Sequence, residues 1–303
     1  MNQIINLQTT NKFKKIIDLL LSEKTKEKGE KIILSIAIIG FIIHLALIYL
    51  VDFHFLNINS DSELIKNPIA AIYTPFSFIL VYEVYLLIYY LPKSITIYIT
   101  KQYEIITLII IRRIFKDLSN LKITSNWFQV KYDLNFTYDI VAAVLLFYLI
   151  YLFYIQSQKV FKTEKEALLP NMEQFIRLKK IIAAILVPVM LFLATYSFAN
   201  WLFSTVNPNV TNLGQSFNSI NNIFFDKFFT VLIIVDVVLL LLSFFHTDKF
   251  HKVIRNSGFI ISTILIRLSF SVDGLINTIL IVSAITFGLL ILTIHNQFEK
   301  KII

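Results

Sequence analysis

The chain has 303 residues and a mean hydropathy of +0.71; 56% of its residues are hydrophobic and only 16% are charged. A soluble globular protein carries about 25% charged residues, so this composition excludes a soluble enzyme, a disordered protein and a nucleic-acid-binding domain. The net charge of +8 comes from basic residues scattered over several segments, without the basic face that binding to nucleic acid requires. The sequence therefore indicates an integral membrane protein.

Apolar blocks of about 20 residues, the length that spans the hydrocarbon core of a bilayer as a helix, recur along the chain. They predict eight spans, at residues 32–52, 70–91, 102–118, 137–157, 180–204, 227–246, 257–274 and 275–296. The third and seventh spans are short and carry arginine, so a six- or seven-span protein is the alternative if one of them is re-entrant. Before the first span, residues 13–21 have the periodicity of a short amphipathic helix on the membrane surface.

Basic residues distinguish the two sides of the membrane. With the N-terminus inside, 20 of the 28 Lys and Arg residues lie on the cytoplasmic side, five lie on the exterior side and three arginines lie within spans. This asymmetry is typical of cytoplasmic loops against exterior loops, and removing either short span would spoil it. We therefore predict eight spans with both termini cytoplasmic.

An internal repeat relates the first four spans to the last four. Glu83 in the second span recurs as Asp236 in the sixth, and Arg112 in the third recurs as Arg267 in the seventh. Because each half has an even number of spans, the repeats are predicted to be parallel, related by an axis along the membrane normal. The predicted organisation is all-α, with a basic cytoplasmic segment at 1–31, four-helix units at 32–158 and 180–303, and a charged cytoplasmic linker at 159–179.

These recurring charges are the candidate site. An isolated charge at mid-bilayer costs about 2.5–3.5 kcal/mol on insertion scales. Counting from the predicted span ends places all four residues at roughly the same depth, ~14 Å, so we predict two ion pairs, Glu83–Arg112 and Asp236–Arg267. Such pairs can fix helix packing, the role we favour, or line a proton or ion path.

Other polar residues are expected to have local roles. Arg113 is expected to pair with Asp139 or to reach solvent, Glu104 to pair with Lys101 or to be solvated, and His44 to make a hydrogen-bonded packing contact. The chain has no cysteine and five histidines, and no metal-binding, phosphate-binding or catalytic motif is found. We predict no catalytic residue, no metal and no cofactor. With only six glycines, we expect no small-residue packing of the Gly-x-x-x-Gly kind, and we expect the helices to pack through Phe, Leu, Ile and Ala.

The second half, from Lys180 to the end, resembles the PsiE family of small bacterial membrane proteins, named for induction under phosphate starvation. The resemblance rests on Asp236, Arg267, the turn Ser271-Val272-Asp273-Gly274 followed by Leu275-Ile276, and a helix with Ser283-Ala284-Ile285 that ends at Asn296. The first half follows the pattern more loosely, and the family favours Glu at the position of Asp236. The resemblance implies a four-helix membrane domain of undefined biochemical role, here in two tandem copies.

We therefore expect a non-enzymatic, PsiE-like protein of the bacterial inner membrane, acting as an accessory, stress-related or complex-forming subunit. Its expected partners are membrane lipids and either further copies of the chain or another membrane protein, not nucleic acid. The alternative is an ion or small-solute transporter or channel whose path is lined by the four intramembrane charges. Charges packed within each four-helix unit would favour the first function, and charges facing a wet crevice between units would favour the second.

Overall fold

Eight long helices account for most of the computed structural model, which describes residues 15, 17–55, 68–120, 131–164, 170–206, 213–245, 249–272 and 274–302; these residues contain no β-strand. The helices are α1 (Glu23–Asp52), α2 (Tyr73–Tyr90), α3 (Ile95–Asn120), α4 (Lys131–Glu164), α5 (Pro170–Val206), α6 (Leu213–Phe244), α7 (Phe250–Ser269) and α8 (Leu275–Ile302). A short 3₁₀ helix, Pro68–Ile72, leads into α2. Within the expected amphipathic segment, residues 17–20 are helical.

Each helix overlaps one predicted span, but several extend well beyond it. α3 begins at Ile95 rather than at residue 102, and α7 begins at Phe250 rather than at residue 257. The predicted linker at 159–179 is largely helical, because α4 continues to Glu164 and α5 begins at Pro170. The 34 residues of α4 are about 51 Å long, more than the ~30 Å hydrocarbon core. Hydropathy reports only the part of a helix that suits hydrocarbon.

Within the described parts of the chain, four helical segments are long and apolar enough to cross a membrane: Glu23–Asp52, Asp133–Gln158, Lys227–Phe244 and Leu275–Lys301. A fifth, Thr74–Tyr90, is apolar but shorter. Several large apolar side chains are more than half exposed, among them Ile38, Phe147 and Ile276. Broad exposed apolar surfaces are rare on soluble monomers, and on these helices they suit contact with lipid chains.

Seven of the helices form a closed ring. In order around the ring, α2 packs on α3, α3 on α4, α4 on α8, α8 on α7, α7 on α6, α6 on α5, and α5 on α2; α3 also touches α7 across the centre. α1 lies outside the ring, where it packs on α2 and on the 3₁₀ helix. As expected for His44, its Nδ1 makes a polar contact between α1 and α2, 2.5 Å from Thr74 Oγ1.

Aromatic side chains fill the centre of the ring. The ring centroids of Tyr103 (α3) and Phe153 (α4) are 5.1 Å apart, and those of Phe153 and Phe259 (α7) are 5.8 Å apart. The Tyr103 hydroxyl hydrogen-bonds with Ser262 Oγ at 2.7 Å. It occupies space left by Gly288 of α8, because a Cβ at that position would overlap the hydroxyl oxygen. Helices from both halves therefore share one core.

Glycine contributes to this packing as well, in addition to the Phe, Leu, Ile and Ala that were expected to supply it. Besides Gly288, Gly258 of α7 lies against Ile291 of α8, whose Cγ1 is 2.8 Å from the place where a Cβ would be. The Gly-x-x-x-Gly pattern places two glycines on one helix, whereas Gly258 and Gly288 lie on two helices that face each other. Gly274 has a different role: its φ of +70° in the turn before α8 is a left-handed conformation that glycine adopts at little cost.

Candidate functional site

The structure does not bring Glu83 and Arg112 together. α2 and α3 form an antiparallel hairpin, so residues at equal distance from the connecting turn lie opposite each other. Glu83 is seven residues from the end of α2, and Arg112 is 17 residues from the start of α3. This difference of ten residues separates them by about 15 Å along the helices. The predicted pair was wrong because the depth of Arg112 was counted from residue 102, whereas α3 begins at Ile95.

The predicted pair of Asp236 and Arg267 fails for the same reason. Asp236 is eight residues from the end of α6, and Arg267 is 17 residues from the start of α7. Arg267 instead reaches Thr230, one helical turn and a half before Asp236, with Nη2 3.5 Å from Oγ1. Both Arg112 and Arg267 therefore lie toward the ends of their hairpins remote from the turns, which is the predicted exterior side.

Glu83 lies among other charged residues at its own level of the hairpin. The charges that act on its half-buried carboxylate are those of Glu104, Lys101 and Glu30. Lys101 is already paired with Glu104, with Nζ 2.5 Å from Oε2, which is one of the two outcomes expected for Glu104. Lys101 therefore interacts with two acids, Glu104 through the ion pair and Glu83 through its charge.

Asp236 is almost completely buried, 2% exposed, and is bonded across the two halves of the chain. Gln102 of α3 donates a hydrogen bond from Nε2 to Asp236 Oδ2 at 3.1 Å. The Tyr98 hydroxyl faces the same carboxylate but has no well-formed hydrogen bond. Lys179 is the basic residue whose charge reaches Asp236, and its Nζ donates to the Lys93 carbonyl at 3.2 Å. A contact between halves thus takes the place of the predicted pair within one half.

A small cleft lies beside Asp236. Its volume of about 10 Å³ is near the minimum that holds one water molecule. Besides Asp236, its walls include Gln102 and Ile106 of α3, Phe229 and Leu232 of α6, and Thr263 and Ile266 of α7. The cleft has room for a water or a bare ion of similar size, and it is too small for a larger solute.

Arg113 joins three helices near the predicted exterior side. Its Nε and Nη2 donate to the two carboxylate oxygens of Asp139 (α4) at 2.5 and 2.6 Å, the contact that was one of two outcomes expected for it. Its Nη1 donates to Asn277 Oδ1 (α8) at 2.8 Å, and Asn277 Nδ2 donates to the Ser269 carbonyl at 2.5 Å. Since Asp139 is only 4% exposed, this two-point interaction links α3, α4 and α8 largely away from water.

A second polar cluster joins the predicted cytoplasmic ends of α7 and α8. Arg255 Nη1 lies 3.1 Å from His295 Nε2, so this nitrogen accepts a hydrogen bond and the neutral ring carries its proton on Nδ1. That Nδ1 lies 3.1 Å from His251 Nδ1, and Glu299 Oε1 lies 3.4 Å from His295 Nε2. Burial lowers the pKa of His251, which favours the neutral ring that can accept from His295.

The same cluster has metal-like geometry. Among the residues that the structure describes, His251, His295 and Glu299 form the group of potential ligands whose donor atoms all lie within 4.8 Å of one another, and two imidazoles with a carboxylate suit Zn²⁺. The Arg255 guanidinium, however, already contacts His295 Nε2 and supplies a positive charge. A metal ion would have to displace it, so we interpret the cluster as a hydrogen-bonded link between α7 and α8. The absence of a metal site stays a prediction.

Several residues of these clusters were not anticipated from the sequence. Gln102, Tyr98 and Asn277 are polar residues within or beside apolar segments, and that polarity was the available signal. The sequence does not show which neighbouring helix each of these side chains contacts. Asp273, one of the residues on which the predicted resemblance to the PsiE family rests, lies outside the described residues.

Comparison of the chain with protein-family models, with curated proteins and with solved structures finds no match.

Proposed function

We propose that the chain is an eight-span protein of the bacterial inner membrane, with both termini in the cytoplasm. The four membrane-competent segments support the membrane location. The other four helices overlap the remaining predicted spans, and the excess of basic residues on one side fits this number of crossings.

We also propose that the eight helices are two parallel four-helix repeats. The contacts α1–α2, α2–α3 and α3–α4 in the first half are matched by α5–α6, α6–α7 and α7–α8 in the second. Arg112 and Arg267 each lie 17 residues after the start of their helix. The contacts α3–α7 and α4–α8 join equivalent helices, as a two-fold axis along the membrane normal requires.

For the activity, we propose a non-enzymatic, PsiE-like accessory, stress-related or complex-forming subunit. The observation that carries this proposal is the link from Arg113 to Asp139 and Asn277. It is a charged group held between three helices, where it stabilises the bundle. Partners would be lipids and either a second copy or another membrane protein, in contact with exposed apolar helix faces such as that of α1.

The absence of cysteine allows a direct test of this arrangement with single-cysteine variants. Lys93→Cys, Phe245→Cys and Lys300→Cys are expected to react with an impermeant thiol reagent only from the cytoplasmic side, and Phe55→Cys and Ser271→Cys only from the exterior. If α3 did not cross, Phe245→Cys would react from the exterior. If α7 did not cross, Ser271→Cys would react from the cytoplasm and Lys300→Cys from the exterior.

A second candidate function is ion transport, and the location of Asp236 favours it. Its carboxylate lies beside a cleft lined by both halves, rather than inside one four-helix unit. Proteoliposomes separate the two functions. A structural subunit is expected to leave ion flux at the level of empty vesicles. A flux above that level that is lost in Asp236→Asn would favour transport instead.

A further inference from the structure

The cleft beside Asp236 combines features that point to a ligand. The carboxylate is 2% exposed, and no basic side chain pairs with it within 4 Å among the described residues. Lys179, the basic residue whose charge reaches it, directs its Nζ to the Lys93 carbonyl. In a bilayer interior an anion without a close partner is costly, so a positive charge bound in the cleft would stabilise the fold.

The polar groups at and beside the cleft carry oxygen atoms, which are the ligands that hard cations prefer. Tyr98 is not one of the residues that line the cleft, but it is only 3% exposed and its hydroxyl faces the Asp236 carboxylate. Thr263 Oγ1 donates to the Ile260 carbonyl at 2.8 Å, which leaves its lone pairs able to accept. Gln102 has a side-chain carbonyl oxygen beside the amide that contacts Asp236. Asp236, Gln102 and Thr263 therefore bring a carboxylate, an amide and a hydroxyl to the walls of the cleft, and the Tyr98 hydroxyl lies next to that carboxylate.

Charge and size restrict the ligand. Beside one carboxylate, and with the charge of Lys179 within reach, a divalent ion would leave a larger net positive charge in an apolar surrounding than a monovalent ion. The volume of about 10 Å³ admits a bare ion of roughly the size of a water molecule and excludes a hydrated one. An alkali-metal cation meets both conditions.

We propose that Asp236, together with Tyr98, Gln102 and Thr263, binds one dehydrated alkali-metal cation between the two halves of the bundle. The proposal rests on the membrane-spanning arrangement proposed above, and it holds whether the ion is transported or only joins the halves. The bound ion would bridge α3, α6 and α7, so occupancy would make the bundle more resistant to unfolding.

Ion-dependent stability of the full-length protein in detergent tests the site. The midpoint of thermal unfolding is measured while NaCl replaces choline chloride at constant ionic strength. We expect a saturable rise of several degrees in the wild type and no rise in Asp236→Asn. Glu83→Gln, which changes the equivalent acid of the first half outside the cleft, is the matched control and is expected to keep the full rise.

A milder variant keeps the test decisive if Asp236→Asn fails to fold. Tyr98→Phe removes only the hydroxyl, and we expect it to weaken the apparent Na⁺ affinity about tenfold, which corresponds to one lost ligand. The proposal is overturned if Na⁺ and choline give the same curve, if Asp236→Asn or Tyr98→Phe keeps the wild-type response, or if Glu83→Gln abolishes it. Cysteine labelling tests the spanning arrangement separately, so a failure of either one is recognisable.

Discussion

Gln102 and Asp236 are 134 residues apart in the sequence, yet Gln102 Nε2 donates to Asp236 Oδ2 at 3.1 Å in the interior of the bundle. The two residues belong to different halves of the chain, so this bond couples the halves. Replacing Gln102 by Ala leaves the buried carboxylate short of a donor, which typically costs about 1–3 kcal/mol. We expect a lower unfolding midpoint for Gln102→Ala, and a smaller further loss when it is combined with Asp236→Asn. Additive losses in this double-mutant cycle would show that the bond contributes nothing.

Arg113→Met should be among the most damaging single substitutions. It removes both hydrogen bonds to Asp139 and leaves a buried carboxylate unpaired, and breaking such a pair costs about 3–5 kcal/mol. Combining it with Asp139→Asn should recover part of the loss in a denaturant titration. Glu104→Gln is the matched control, since its i,i+3 pair with Lys101 is partly exposed and pairs of this kind contribute about 0.3–0.5 kcal/mol. Equal effects of Arg113→Met and Glu104→Gln would contradict the assigned geometry.

Glu83 and Arg112 should show no energetic coupling. Their offset of about 15 Å along the hairpin places them beyond the 7–10 Å at which separate substitutions usually become additive. We expect the effects of Glu83→Gln and Arg112→Met on the unfolding midpoint to add in the double variant. Partial recovery in that variant would instead support the ion pair that the recurring charges first suggested.

Gly288→Ala should loosen the centre of the bundle. The added Cβ would overlap the Tyr103 hydroxyl, and overpacking of this kind costs about 1–3 kcal/mol. Because the overlap involves the hydroxyl, Tyr103→Phe is expected to rescue part of the loss. Gly29→Ala is the control: its Cβ would lie 3.7 Å from the Tyr82 ring, an ordinary contact, and Ala favours a helix over Gly. A Gly288→Ala protein as stable as Gly29→Ala would refute the close approach.

The His251 cluster should make stability depend on pH. Burial lowers the pKa of His251 below its usual value of 6.5, so the unfolded chain binds the proton more tightly than the folded chain. The contribution of the neutral His251 ring to the free energy of unfolding is then complete above pH 6.5, and it is lost as the pH falls toward the folded-state pKa. Glu299 opposes this shift, while Lys249, Lys252 and Arg255 reinforce it.

Unfolding midpoints measured between pH 7.5 and pH 5 test this dependence. The change in stability is expected within about one pH unit of 6.5, the usual pKa of histidine. We expect His251→Gln to flatten the acid-side decline. His54→Asn is the control, since His54 is exposed and has a positive φ that Asn tolerates. A decline of the same size in His251→Gln would show that other groups cause it.

The helical fold and the positions of its helices could be predicted from apolar blocks, because a bilayer core demands about 20 apolar residues for each helical crossing. The recurrence of Glu83 as Asp236 and of Arg112 as Arg267 was also visible in the sequence, and the repeat that it suggests stays a prediction. The ends of the helices were harder to predict from the sequence. The seven helical residues before residue 102 end in Lys101 and were left out of the predicted span, and this one error displaced Arg112 by about two turns.

Partners across the bundle depended on the tertiary structure alone. Hydropathy shows how deep a residue lies in a helix, but not which helix its side chain meets. Helix rotation and the order of packing around the ring decide that Asp236 meets Gln102 and that Arg113 meets Asn277 as well as Asp139. The sequence by itself determined that the chain forms apolar helices and that acid and arginine recur in them. The packing of those helices decided that these charges lie apart, and that Asp236 faces a cleft shared by both halves.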